Sequence, residues 1–126
     1  MATVKTYKDL FAWQRGMDLA CEVYHLTATF PRDETYGLTR QVRDSAISVP
    51  SNIAEGQART TRDFRRFLAI AMGSVQEVET QLLLACRLGM APSDRVQAAI
   101  ETCDEVGRLV RGLSLSLRTG PPQVTD

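Results

Sequence analysis

Between Phe64 and Ala85, the residues Phe64, Leu68, Ala71, Val75, Val78, Leu82 and Ala85 follow one another at steps that alternate four and three. A repeat of about 3.5 residues holds one stripe of a helix against its neighbours over many turns, and a strand cannot use that period. Such a stripe must be buried against other helices lying nearly parallel or antiparallel to it. The chain supplies them. Val96, Ala99, Cys103, Val106, Val110, Leu113 and Leu117 repeat the pattern downstream, and Leu38, Val42, Ala46, Val49 and Ile53 repeat it upstream. Near the start two stripes run side by side: Leu10, Trp13, Met17, Cys21, Tyr24 and Ala28, and next to them Phe11, Leu19, Val23, Leu26 and Phe30. The first helix therefore offers more apolar surface than one partner requires.

Caps and breakers divide these stripes into four helices. Thr6-x-x-Asp9 and Thr60-x-x-Asp63 have the capping-box spacing and are expected to open the first and third helices. Pro31 stops the first, the second is expected from about Asp33 to about Gln57, Gly89 supplies a left-handed stop, and Pro92 opens the fourth. The connections are short, so neighbours must be antiparallel. The expectation is an all-α, up-down-up-down four-helix bundle over 7–118, between a flexible N-terminus at 1–6 and a disordered tail at 119–126.

A chain of 126 residues is one domain that can bury a core without disulfides or metal. Cys21, Cys86 and Cys103 are scattered among apolar residues, form no C-x-x-C pair, and read as small buried hydrophobes in a reducing compartment. The N-terminal stretch lacks the basic start and apolar run of a signal peptide, and no segment approaches the ~20 apolar residues of a membrane span. A cytoplasmic protein without membrane contact is expected.

The stretch Ser48-Val-Pro-Ser-Asn-Ile-Ala-Glu-Gly56 interrupts this regularity. The apolar phase from Leu38 to Ile53 crosses Pro50 without a jump, which predicts one helix kinked at the proline and not two helices joined by a loop. Proline removes the bond to the Ala46 carbonyl, at a cost of about 3 kcal/mol in an unadapted helix. Ser48, Ser51 and Asn52 stand within a turn of the break and are the side chains best placed to satisfy freed backbone groups. Asn52 with Glu55, and Ser74 with Glu77, are each three residues apart and form a polar set with Pro50 and Gly56. Asn52 repairing the kink, with Glu55 bonded to Arg59, is one reading of that set; an inter-subunit polar contact and a ligand or metal site are the others. Gly73, in mid-helix, is expected at a close helix approach.

Fifteen basic and fifteen acidic side chains cancel, so no whole-molecule field draws the protein onto nucleic acid. Their distribution is uneven, with seven arginines against five acids from Arg32 to Arg66, and two against six from Phe67 to Gly107. Arg59, Arg62, Arg65 and Arg66 cluster at a turn and helix start, with Arg40 and Arg43 as further candidates for a nucleic-acid contact. The plainer reading is a solvated helix start beside an acidic face.

Enzymatic motifs are missing. His25 is the single histidine and reads as a solvated surface residue, and the chain contains no H-E-x-x-H and no phosphate-cradling glycine loop. Di-iron bundles need Glu-x-x-His on two helices. No catalytic residue, no metal site and no cofactor are expected.

Trp13-Gln14, Phe30-Pro31, Gln41-x-Arg43, the Ser48–Gly56 block and Gly73-Ser74-x-x-Glu77 together resemble the 23S rRNA intervening-sequence protein family, bacterial four-helix bundles first known from reading frames inside large-subunit ribosomal RNA genes. The resemblance spans about Tyr7 to Leu117. It extends to the accessory variability determinant of diversity-generating retroelements, a homopentameric bundle that binds nucleic acid through a basic surface and contacts a reverse transcriptase. The resemblance implies a cytosolic homopentamer without enzymatic activity, whose partners are its own copies and, in the alternative, nucleic acid or a nucleic-acid enzyme. Off-seam apolar residues, Phe11, Leu19, Ile47, Ile70, Leu83, Leu84 and Leu109, are the expected subunit contacts.

Overall fold

The computed structural model describes residues 5–118, and within them all regular structure is helical. Helices α1 (Phe11–Thr27), α2 (Leu38–Gln57), α3 (Thr61–Arg87) and α4 (Ser93–Arg118) form the bundle. In sequence order each helix packs on the next, α4 closes the ring on α1, and the diagonal pairs α1–α3 and α2–α4 stay apart. Residues 1–4, and the segment 119–126 where a tail was expected, lie outside the described residues.

The inward stripes of α2, α3 and α4 fill the core. Val42, Ala46, Val49 and Ile53, the whole Phe64–Ala85 stripe, and Val96, Ala99, Cys103, Val106 and Val110 are buried, while Leu38, Leu113 and Leu117 pack at its edges. On α1 the expected order of the two stripes is reversed. Leu19, Val23 and Leu26 are buried together with Ala12, Gly16 and Thr27, whereas Met17, Cys21 and Tyr24 are exposed. Thr27 can enter the core because its hydroxyl donates to the Val23 carbonyl at 2.7 Å.

The helix starts also correct the sequence reading. The Thr6–Asp9 box caps a separate 3-10 turn, Tyr7–Asp9, and α1 begins after it at Phe11 with no side-chain cap. Asp9 Oδ2 accepts from the backbone N–H groups of Lys5 and Thr6, and these bonds hold its carboxyl below its ordinary value. Between Pro31 and α2 lies a second 3-10 turn, Arg32–Glu34, so α2 starts at Leu38 and not near Asp33. Glu34 Oε1 accepts from the Leu38 N–H at 3.1 Å and serves as the cap that α2 otherwise lacks. Thr60 Oγ1 accepts from Asp63 N at 3.3 Å, while Asp63 turns its carboxylate to Arg66 at 3.7 Å. Gly89 ends α3 with φ of 73°, as expected.

Candidate functional site

Helix α2 runs through Pro50 without interruption. The proline is buried against α1 where Gly16 passes; a Cβ there would lie 3.6 Å from the Pro50 ring and 3.4 Å from Val49 Cγ1. On the flank of α2 that meets α3, Ser48 Oγ is 2.8 Å from Ser74 Oγ. Asn52 Nδ2 donates to the Ser48 carbonyl at 2.8 Å and to Ser48 Oγ at 2.9 Å. These bonds alter the role expected of the polar set. The acceptor that Pro50 frees is the Ala46 carbonyl, and neither Ser48, Ser51 nor Asn52 bonds to it. Ser48 ties α2 to α3 instead, and Asn52 bonds back to Ser48 within α2.

Gly56 belongs to the same junction. A Cβ at Gly56 would stand 2.6 Å from Phe67 Cβ and 3.0 Å from Phe64 Cδ1, so only glycine lets α2 and α3 meet this closely above their turn. Gly73 is the opposite case. It is exposed, and a Cβ there would meet nothing within 4 Å, so the close helix approach expected at this position does not occur among the described residues.

Of the candidate arginines, Arg59 stacks on the Phe67 ring at 5.1 Å, Arg66 stands near Asp63, and Arg40 reaches Asp44 at 3.9 Å. Arg65 is half-buried with its Nε unpartnered. Arg62 is exposed and, among the described residues, forms no ion pair. Arg43 is committed elsewhere: its Nε donates to Thr27 Oγ1 at 2.7 Å, its Nη2 to the Tyr24 carbonyl at 3.3 Å, and its guanidinium covers the Tyr24 ring at 4.4 Å. It fastens the end of α1 to α2 and lies apart from the Arg59–Arg66 group. Its position among polar residues in the sequence carries no sign of this role.

Glu55 and Glu77 are exposed, and the expected Glu55–Arg59 pair is not formed. Among the described residues no group of three or more histidines, cysteines or acids is placed to hold a metal. His25 is exposed on an open groove of about 540 Å³ between α1 and α4, beside Cys21, Glu22 and Arg95. Arg15 bridges these helices, donating to Asp18 at 2.8 Å and to Glu105 at 2.9 Å. The bond from Arg15 holds the Glu105 carboxyl below its ordinary value. Burial, reinforced by Glu79 and Asp104, pushes the Cys103 thiol up to about 12, so it stays protonated and unreactive.

A groove of about 340 Å³ between α1 and α2 is lined by Tyr7, Trp13, Met17, Ala20, Ile47, Pro50, Ser51 and Ala54, with no charged residue among them. Tyr7 and Trp13 meet edge to face at 5.3 Å along it. Of the expected subunit contacts, Phe11, Ile47, Ile70, Leu83 and Leu84 are exposed. Leu19 is instead wholly buried in the core, and Leu109 packs against it half-buried.

The sequence profile of the 23S rRNA-intervening sequence protein family matches residues 8–112. A crystal structure of a protein of unknown function from the S23 ribosomal protein family of Bacteroides thetaiotaomicron superposes with a TM-score of 0.73 at 20% identity, covering 82% of this chain and 97% of that one. At that identity the likeness concerns the fold. No curated protein matches the chain. Among the described residues no helix is long and apolar enough to cross a membrane.

Proposed function

This chain belongs to the 23S rRNA-intervening sequence protein family, and from that premise we propose that it is a non-enzymatic, homo-oligomeric assembly module, an adaptor built from several bundles. The number five comes from the resemblance of the sequence to pentameric bundles. The observation that carries the reading is the set of large apolar side chains left in solvent, with Phe11 71% exposed, Ile70 48%, Leu84 46% and Ile47 42%. Ile47 opens onto the uncharged α1–α2 groove, where Trp13, Met17 and Ala54 extend the apolar surface around it. Light scattering at micromolar concentration tests it: the expected mass is several times the 14.0 kDa of one chain, and a mass of 14.0 kDa rejects it.

Arg62 favours a second reading, a ring that binds RNA or DNA through the Arg59–Arg66 cluster. Among the described residues its charge has no ion-pair partner, and it stands at the first turn of α3, where free backbone N–H groups also attract anions. Binding of this kind weakens by orders of magnitude between about 50 and 200 mM salt. An Arg62→Glu, Arg65→Glu variant that assembles but no longer binds would support it. Absence of binding by the intact assembly in about 50 mM salt would remove it.

A further inference from the structure

Two exposed rows of the same chain match each other. Along the outer flank of α2 stand Arg40, Asp44, Ile47, Ser51 and Glu55, at steps of four, three, four and four. Along the outer face of α3 stand Arg62, Arg66, Ile70, Gly73 and Glu77, at steps of four, four, three and four. Each spacing keeps its row on one face of its helix. The two helices rise in opposite chain directions from one turn, so their heights can be compared.

With a rise of about 1.5 Å per residue, Glu55 stands about 7 Å above the α2–α3 turn, between Arg62 at about 4 Å and Arg66 at about 10 Å. On the same scale Ile47 stands about 19 Å up and Gly73 about 20 Å, while Arg40 at about 29 Å lies near Glu77 at about 26 Å. An acid thus lies level with two arginines and a branched apolar side chain with a glycine, while Glu77 falls between Arg40 and its own-chain partner Asp44, which stands at about 23 Å. Among the described residues Glu55, Arg62 and Glu77 have no ion-pair partner, and the pairs of Arg40 and Arg66 are long, at 3.9 and 3.7 Å.

We infer that the α2 row of one copy packs on the α3 row of the next, with bundles side by side and pointing the same way, Ile47 seated over Gly73. This rests on the homo-oligomeric reading and specifies its interface. The two rows are different surfaces, so the contact is head-to-tail and closes into a ring if the rotation allows. Glu55 facing Arg62 and Arg66 beside an apolar centre fixes register and direction. The interface also accounts for the exposed mid-helix glycine: a glycine is unfavourable there, and the missing Cβ has no use within one chain.

Light scattering across a concentration series, with circular dichroism on every variant, tests the proposal. Gly73→Leu has room in the single chain, so it keeps full helicity, and it is expected to abolish assembly. Glu55→Arg places three cations together and is expected to weaken association at least tenfold, as is Arg62→Glu with Arg66→Glu. Combining the three charge reversals in one chain should restore association to within a few-fold of wild type. A wild-type assembly unmoved by Gly73→Leu and Glu55→Arg overturns this interface and leaves the homo-oligomeric reading standing. A wild-type mass of 14.0 kDa overturns both.

Discussion

Gly56 and Gly73 are helical glycines on opposite terms with their surroundings. Gly56 is buried where α2 meets α3, and a single added carbon would run into Phe67 at 2.6 Å. Gly73 lies one helix later, faces solvent and would meet nothing. The inner and outer faces of α3 carry the same contrast: Leu68 is 1% exposed, and Ile70, two residues on, is 48% exposed. The fold of one chain accounts for Gly56 and Leu68. It leaves Gly73 and Ile70 without a physical reason, and that remainder is the ground for assembly.

The contrast can be broken experimentally, most severely in the core. Leu68→Ala should cost about 2–5 kcal/mol in urea unfolding, whereas Ile70→Ala should change the stability of the unassembled chain by less than ~0.5 kcal/mol. An equal cost at both sites would mean that the outer face is packed after all. Gly56→Ala should lose about 1–3 kcal/mol through overpacking against Phe67. Gly73→Ala should instead gain up to ~1 kcal/mol of helix stability in the unassembled chain. Opposite signs at the two glycines are the result to look for.

Smaller effects sharpen the account of the α2–α3 junction. Ser74→Ala removes the Ser48–Ser74 bond and should cost about 1 kcal/mol, and thermal melts at a fixed protein concentration would detect it. On the α1–α4 side the effect is a slope with pH. Glu105 is held below its ordinary value of 4.5 chiefly by the bond from Arg15, so its contribution is present above that value and disappears as pH falls through the lowered one. Arg15→Ala should therefore flatten the stability profile below about pH 5, with little change in the shape of the curve at neutral pH. A profile with unchanged acid slope would show that the Arg15–Glu105 bond is not sustained in solution.

Most of the bundle was legible in the sequence because the α2, α3 and α4 stripes each have one partner face and one period. In α1 two apolar stripes competed, and the choice between them rested on residues that hydrophobic periodicity does not count. Gly16 lets α2 come close, and Thr27 becomes a core residue once its hydroxyl has Val23 and Arg43 as partners. The unbroken course of α2 through Pro50 was visible in the phase of Leu38 to Ile53. The destination of Ser48 was not, because a side chain two residues from a proline can serve its own helix or the next equally well. Arg43 and Glu34 were hidden for a related reason: their partners lie on a different element or depend on a 3-10 turn whose length the sequence does not mark. The outer rows of α2 and α3 were each readable as surface, but their correspondence needed the shared turn that sets both heights.

Self-assembly is the claim on which the rest depends, and sedimentation equilibrium of the wild-type chain between about 1 and 100 μM tests it most directly. The account predicts one dominant species of several times 14.0 kDa, stable across the upper part of that range and dissociating only on dilution. A single ideal species of 14.0 kDa at every concentration would contradict it and leave the exposed glycine and its apolar neighbours unexplained.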